Sequence, residues 1–76
     1  LPQKSLDIVH PLYNPPLAWE RDLVLYYKEF VGQLPKETSV SVYLVNDGSS
    51  RGIEPEHLEY IREEIPRFTF VDLAKN

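Results

Sequence analysis

Strand-like and helix-like segments alternate strictly along this chain, and that alternation limits the folds it can adopt. Short apolar runs predict strands at residues 6–10, 40–45 and 68–73. Apolar residues at helical spacing predict a helix within residues 17–34, and a second helix begins at Glu54-Pro55-Glu56 and ends at Pro66. Because helices connect successive strands, the order predicts an α/β fold. It is the β-α-β-α-β half of a doubly wound, Rossmann-like parallel sheet of three strands with right-handed crossovers.

Proline, glycine and side-chain periodicity set the expected ends and inner faces of these segments. Pro11 is expected to end the first strand, and Gly32 and Pro35 to end the first helix. Pro55, with acids beside it, suits the first turn of the second helix. The predicted inner residues are Leu23, Tyr26, Tyr27, Phe30, Val31 and Leu34 in the first helix, and Leu58, Ile61 and Ile65 in the second. Residues 42–45 are apolar on both faces, which predicts a strand covered on both sides.

Length and composition exclude several classes of protein. Seventy-six residues form one domain or part of one, and the chain begins with Leu1, so we expect a processed or truncated piece. The net charge is −4 and the eight Lys and Arg residues are scattered, which argues against nucleic acid as a partner. There is no cysteine, which excludes disulfides and thiolate chemistry. No apolar run approaches the roughly 20 residues that span a bilayer. We therefore expect a cytoplasmic protein, with any membrane attachment in segments outside this chain.

A polar segment of residues 46–50 follows the middle strand. Ligands of doubly wound sheets bind beyond the carboxyl ends of the strands, where residues 10–16, 46–51 and 74–76 are expected to meet. Asp-Gly can form a hairpin turn, but no alternating strand returns after it. The segment is therefore an ordinary loop that caps the next helix, or a ligand site. In a site, Asp47 accepts hydrogen bonds from a ligand and Gly48 lets the ligand approach the backbone.

Two motifs at a fixed separation resemble those of a known enzyme family. LDIVHPLYN, which contains Tyr13-Asn14, and YLVNDGSS one helix later are similar to the opening of family 2 glycosyltransferases of the GT-A fold. That family has an apolar strand, a Pro-x-Tyr-Asn turn, an amphipathic helix and a second strand ending in Val-Asp-Asp-Gly-Ser. The final FVDLAKN is similar to the family's third strand and the Asn before a glycine-rich turn. The resemblance covers residues 5–76 and implies the N-terminal portion of the catalytic domain.

The resemblance also implies a nucleotide-sugar donor and a set of residues that bind the nucleotide. Pro11 and Tyr13 would lie against the nucleobase, and the Tyr13 ring would stack on it. Asp47 would accept a hydrogen bond from a base N–H, and Ser49 and Asn76 would line the pocket. The full implied set is Pro11, Tyr13, Asn14, Asn46, Asp47, Gly48, Ser49 and Asn76.

Three positions depart from the family pattern. Asn46 replaces the first acid of the family's Asp pair, so this side chain can accept a hydrogen bond but carries no charge. Asp7 and His10 replace aliphatic residues of the first strand. We expect His10 to be a hydrogen-bonded structural histidine and not a catalytic one.

Two parts of the family's catalytic apparatus lie outside these residues. Family members hold Mn²⁺ or Mg²⁺ with an Asp-x-Asp segment on a later strand, and none of the aspartates here has that spacing. Glu54 and Glu56 do have it, but charge capping of a helix explains them. The carboxylate base of inverting members also comes later. The resemblance therefore implies a piece of a larger glycosyltransferase that has no catalytic residue or metal ligand of its own and is inactive alone.

Other kinds of protein share parts of this pattern. A dinucleotide dehydrogenase needs Gly-x-Gly-x-x-Gly after its first strand, where this chain has His-Pro-Leu-Tyr-Asn-Pro. A phosphoacceptor receiver domain clusters acids near the end of its first strand, and that strand holds only Asp7 here. A non-catalytic small α/β binding or interaction module stays open as the alternative.

The expected strand order 3-2-1 has a consequence for association. It makes the first strand an open edge, which pairs with a later strand in the complete fold. An open edge at residues 6–9 invites pairing with another copy of the chain. We therefore expect self-association through the first strand, giving a dimer.

Overall fold

Three parallel strands and two helices make up residues 4–73, the part of the chain that the computed structural model describes. The elements are β1 Ser5–Leu12, α1 Trp19–Val31, β2 Ser39–Asn46, α2 Pro55–Glu64 and β3 Phe68–Asp72. The sheet has the order β1-β2-β3, and both pairs of neighbouring strands are parallel. The predicted α/β class, the element order and the central position of the second strand are confirmed.

The core lies on one face of the sheet, under both helices. Every even-numbered side chain of β2, from Val40 to Asn46, is buried because successive side chains of a strand point to opposite faces. Ile61 and Ile65, predicted as inner residues of the second helix, are fully buried. Burying each such aliphatic side chain stabilises the fold by about 1.5–3 kcal/mol. The buried apolar set is Leu12, Trp19, Leu23, Val24, Val40, Val42, Leu44, Ile61 and Ile65.

The opposite face of the sheet carries no helix within residues 4–73. Tyr43 and Val45 of β2 are half-buried on it, and Val9 of β1 is 65% exposed. The prediction that residues 42–45 are covered on both sides is wrong for the described part of the chain. Two right-handed crossovers that progress in one direction across a sheet put both helices on the same face.

The first strand extends beyond Pro11, which was expected to end it. The carbonyls of Lys4 and Leu12 accept hydrogen bonds from Ser39 N–H and Asp47 N–H, both at 2.8 Å. The backbone of even-numbered residues therefore faces β2, and that of odd-numbered residues faces the open edge. Pro11 has an odd number, so its missing N–H removes no hydrogen bond from the sheet, and proline is tolerated there.

The first helix is shorter than the predicted segment of residues 17–34. Ala18, directly before it, has a left-handed φ of 62°, so the helix cannot extend further back. At the other end, Gly32 N–H donates to the Lys28 carbonyl at 3.0 Å, and residues 33 and 34 continue in a tighter turn that bonds three residues back. Neither helix within residues 4–73 combines the length and apolar content that crossing a bilayer requires.

Two aromatic residues predicted for the inner face of this helix lie outside the core. Tyr26 is 75% exposed and Phe30 is 40% exposed, whereas Leu23 and Val24 are buried. The prediction is wrong because β1 is the edge of the sheet. Tyr26 and Phe30 line an open groove together with Ile8 of that edge strand.

His10 lies in the same groove, and its burial makes stability depend on pH. Desolvation lowers the pKa of His10 from its ordinary value of 6.5. Well above that value both the folded and the unfolded chain carry a neutral imidazole, and below it the unfolded chain takes up the proton first. The free energy of unfolding is therefore expected to fall as the pH drops from about 7 through the ordinary histidine pKa, and to level off below the folded-state pKa.

Urea unfolding at about pH 7.5 and about pH 5.5, on either side of the ordinary histidine pKa, measures this loss. The fluorescence of Trp19, the single tryptophan, is the signal. His10→Gln is the matched variant because it keeps a polar group of similar size that does not titrate. We expect a smaller loss of stability between the two pH values in the variant. His57 is present in both proteins, so the difference isolates His10. Equal losses would contradict the assignment.

Candidate functional site

The carboxyl ends of all three strands meet at one edge of the sheet. Leu12, Asn46 and Asp72 lie side by side in register there. The loop of residues 13–18 leaves from β1, and the loop of residues 47–54 leaves from β2. The second loop leads into a helix and a parallel strand, so Asp47-Gly48 is part of a β-α loop and not of a hairpin.

Asn14 fastens these two loops together. Its backbone N–H donates to Ser49 Oγ at 2.7 Å, and its side-chain Oδ1 accepts from Ser50 N–H at 3.0 Å. Asn14 has a left-handed φ of 41°, a conformation that asparagine adopts more readily than most residues. Asn14 and Ser49, two of the predicted site residues, are thus brought together and hold the loop that carries Tyr13.

Asn46 is buried and joins the second loop to β3. Its Oδ1 accepts from Ser49 N–H at 2.9 Å, and its Nδ2 donates to Asp72 Oδ1 at 3.0 Å. An amide can accept on one side and donate on the other, whereas a carboxylate could only accept. This geometry explains why an amide suits a position where the resembled family has an acid. The sequence analysis did not include Asp72 among the site residues. Its position at the end of the third strand, at the same edge of the sheet, is the feature that could have indicated it.

Tyr13, Asp47 and Gly48 form an accessible surface where these loops leave the strands. Tyr13 is 70% exposed, and its Cε1 atom lies 4.0 Å from where a β-carbon on Gly48 would be. Gly48 has a left-handed φ of 83°, which favours glycine. The Asp47 backbone N–H is bonded to Leu12, but the exposed Asp47 carboxylate has no hydrogen-bond partner within residues 4–73. An exposed aromatic side chain thus lies beside the backbone of Gly48, and the residue before Gly48 supplies an exposed acceptor.

The two other predicted site residues are Pro11 and Asn76. Pro11 is exposed on the helix-free face of the sheet, in register with Val45 of β2. Asn76 lies outside the described residues. No group of three His, Asp or Glu side chains within residues 4–73 is arranged to hold a metal ion.

An open cavity of about 740 Å³ lies beside the loop surface, between the end of β3 and the start of α2. This volume is in the range of small-molecule sites. Sequence reasoning missed two cations in its wall, Arg51 and Arg62, although Arg51 directly follows the polar segment. The wall consists of Asn46, Ser49, Ser50, Arg51, Ile53, Glu54, Pro55, Leu58, Glu59, Arg62, Phe70 and Asp72. Asn46 and Ser49 therefore belong both to the cavity and to the hydrogen-bond network beneath Tyr13 and Asp47.

The indole of Trp19 anchors the far end of the second loop. Its Nε1–H donates to the Gly52 carbonyl at 2.7 Å. Gly52 has a left-handed φ of 88°, and a β-carbon there would lie 3.3 Å from Pro15 of the first loop. Both loops are therefore fixed at two points, by Asn14 at one end and by Trp19 and Gly52 at the other.

Comparison with known proteins finds no relative of this chain. No family model, no curated protein and no solved structure matches the chain. Its function has to be inferred from the geometry of the loops at the carboxyl edge of the sheet.

Proposed function

We propose that this chain is the nucleotide-binding part of a larger glycosyltransferase of the family 2, GT-A kind. The larger enzyme would transfer a sugar from a nucleotide-sugar donor to an acceptor hydroxyl. One observation carries the proposal: at the carboxyl edge of the sheet an exposed tyrosine lies beside Gly48, and the residue before that glycine has an exposed carboxylate with no hydrogen-bond partner in the described part of the chain. The sequence resemblance assigns Tyr13 and Asp47 to the nucleobase, and Gly48 belongs to the same set of expected nucleotide-binding residues.

Each of the three residues has a distinct role in the proposed binding. Tyr13 stacks on the base, an interaction worth about 1–3 kcal/mol in other nucleotide binders. The Asp47 carboxylate accepts a hydrogen bond from a ring or amino N–H of the base. Gly48 has no side chain, so the ligand can approach its backbone closely. The hydrogen bonds that Asn14 donates to Ser49 and accepts from Ser50 hold the loops in place before the ligand arrives, which reduces the ordering cost of binding.

The adjoining cavity suits the rest of the donor. Arg51 lines it and is close in sequence to Asp47, so it is the candidate for contact with the diphosphate. The cavity also contains Glu54, Glu59 and Asp72, whose negative charges limit its affinity for phosphate alone. In this proposal the catalytic base and the Mg²⁺ or Mn²⁺ ligands belong to other parts of the enzyme. The chain on its own then binds nucleotide without transferring sugar.

Nucleotide titration of the ¹⁵N-labelled chain tests the proposal. Uridine, cytidine, adenosine and guanosine diphosphates are added separately, and the amide resonances of Tyr13, Asp47 and Gly48 are expected to shift with at least one of them. Tyr13→Ala is expected to weaken that binding about 5- to 150-fold through the lost stacking. Asp47→Asn is expected to weaken it about tenfold or more through the lost charged acceptor.

Two variants on α1 serve as matched controls. Tyr26→Ala removes a tyrosine that is as exposed as Tyr13, and Asp22→Asn neutralises another exposed carboxylate. Both are expected to leave nucleotide affinity unchanged. If no nucleotide shifts these amides at millimolar concentration, the proposal fails and the alternative, a non-catalytic α/β binding module, is favoured. Equal weakening by the controls would also count against it.

A further inference from the structure

One edge of the sheet is open in the described part of the chain. No strand within residues 4–73 pairs with the outer side of β1. The N–H groups of Ser5, Asp7 and Val9 point outward there, together with their carbonyls and that of Pro11. Exposed edges of this kind are usually protected by lysine, proline, a bulge or a covering segment. Here Pro11 blocks only one end.

An apolar groove runs along the same edge on the helix side of the sheet. Its volume is about 420 Å³, and it separates β1 from α1. Its walls consist of Ile8, His10, Leu23, Tyr26, Tyr27, Phe30 and Val42. An occupant of this edge therefore has to supply two things: a strand for the open hydrogen bonds and apolar side chains for the groove.

We propose that the occupant is β1 of a second copy, which pairs antiparallel with this β1 about a two-fold axis at Ile8. In this register Asp7 lies opposite the partner's Val9, and Ser5 lies opposite the partner's Pro11. All three outward N–H groups then meet a carbonyl of the other copy. The register with Asp7 opposite itself is disfavoured, because like charges directly across a sheet repel.

The β1 side chains on the helix side of the sheet also meet suitable partners in the second copy. The same register sets Ile8 against the partner's Ile8 and Leu6 against the partner's His10. A two-fold axis perpendicular to the sheet puts both α1 helices on the same face, so the two grooves face each other and merge. Tyr26 and Phe30, which are exposed and line the groove, then cover apolar side chains of the other copy.

The surface area that a stable dimer has to bury is consistent with an interface made of both the strand and the groove. A stable, specific interface buries about 800 Å² on each partner. That is about one seventh of the 5708 Å² that the chain exposes. A single edge strand is too narrow to supply it, so the groove and its aromatic wall have to take part. The loops at the carboxyl edge, with Tyr13 and Asp47, lie outside the interface, so nucleotide binding and dimer formation are tested separately. The dimer is proposed for this chain by itself, because in a larger enzyme of the proposed kind a later strand would pair with the same edge.

Sedimentation and cross-linking test the dimer and its register. Sedimentation equilibrium of the chain is expected to show a monomer–dimer equilibrium, and a monomer at millimolar concentration would overturn the proposal. The chain has no cysteine, so single substitutions give unambiguous cross-links. Ile8→Cys is expected to oxidise to a disulfide-linked dimer. In the proposed register the two residues at position 8 form a non-hydrogen-bonded antiparallel pair, whose Cα atoms are about 4.5 Å apart. Asp7→Cys is expected to cross-link poorly, and faster cross-linking at position 7 than at position 8 would overturn the register.

A charge pair at Val9 gives a second test that leaves the core unchanged. Val9 lies on the helix-free face and, in the proposed dimer, opposite the partner's Asp7. Val9→Lys is expected to tighten the dimer and Val9→Glu to weaken it, each by about 2- to 30-fold with two such pairs per dimer. Trp19 fluorescence confirms that both variants are folded. A shift of the dimerisation constant in the same direction for both would overturn the pairing of Asp7 with Val9.

Discussion

Leu44→Ala is expected to lower the free energy of unfolding by about 3–5 kcal/mol, as large-to-small changes do in well-packed cores. Leu44 has no exposed surface and lies in the central strand, beneath both helices. A chain of 76 residues has a total stability of about 4–11 kcal/mol at typical values per residue. The substitution is therefore expected to remove a large share of the stability, and a chain at the low end of that range would be largely unfolded at room temperature.

Urea unfolding followed by Trp19 fluorescence and far-ultraviolet circular dichroism measures this effect. Both proteins should be compared at one low protein concentration, because association would add to the apparent stability. Leu17→Ala is the matched control, since Leu17 lies in a loop and is 98% exposed. We expect that control to change the stability by less than about 0.5 kcal/mol. Similar effects at positions 44 and 17 would mean that the core is not where the structure has it.

Asn46→Asp is expected to destabilise the fold by about 2–3 kcal/mol at neutral pH. The substitution replaces the amide that donates to Asp72 Oδ1 with a second carboxylate, in a buried position. Two carboxylates at hydrogen-bond distance repel, and one of them has to take up a proton or move. The loss should shrink as the pH falls toward the ordinary pKa of a carboxyl group, because the introduced side chain regains a donor when it is protonated.

A double-mutant cycle with Asp72→Asn separates this pair from other effects. In the double variant the amide introduced at position 72 can donate to the carboxylate introduced at position 46. That carboxylate can still accept from Ser49 N–H, so most of the lost stability is expected to return. The single Asp72→Asn variant supplies the reference for the other interactions of Asp72. A coupling free energy of about 1 kcal/mol or more supports the pair. Simple additivity of the two single changes would show that Asn46 and Asp72 act independently.

β2, α2 and β3 could be predicted from sequence because local signals and tertiary environment agree there. The apolar run of β2 is central and buried, and Pro55 and Pro66 bracket α2 on either side of an inner stripe that includes Ile61. The end of β1 could not be predicted, because a proline breaks a central strand but not the outer side of an edge strand. Sequence periodicity identifies the apolar face of a helix but not which part of that face the sheet covers. For this reason Tyr26 and Phe30 were wrongly predicted to lie in the core.

Part of the candidate site could be predicted from the sequence in the same way, and part could not. Tyr13, Asp47 and Gly48 are recognisable because they follow strands whose carboxyl ends must meet at one edge. The pairing of Asn46 with Asp72 depends on the register between β2 and β3, which the sequence does not specify. The hydrogen bonds of Asn14 depend in the same way on two loops that are 35 residues apart in sequence. Arg51 and Arg62 line the same cavity, which the sequence does not show because one belongs to the loop after β2 and the other to the last turn of α2.

The parallel register also determines how this chain can fold in time. Each residue of β1 pairs with the residue 34 positions further along, as Ser5 does with Ser39, and β2 pairs with β3 at a separation of 26, as Val42 does with Phe68. No two strands of the described chain are joined by a short turn, so no strand pair can form as a local hairpin. The chain has to close a long loop before its first interstrand hydrogen bond forms, which is the slow class of folding transition. Until β2 is in place, its apolar run is exposed to solvent, and this interval is when the chain is most prone to aggregate.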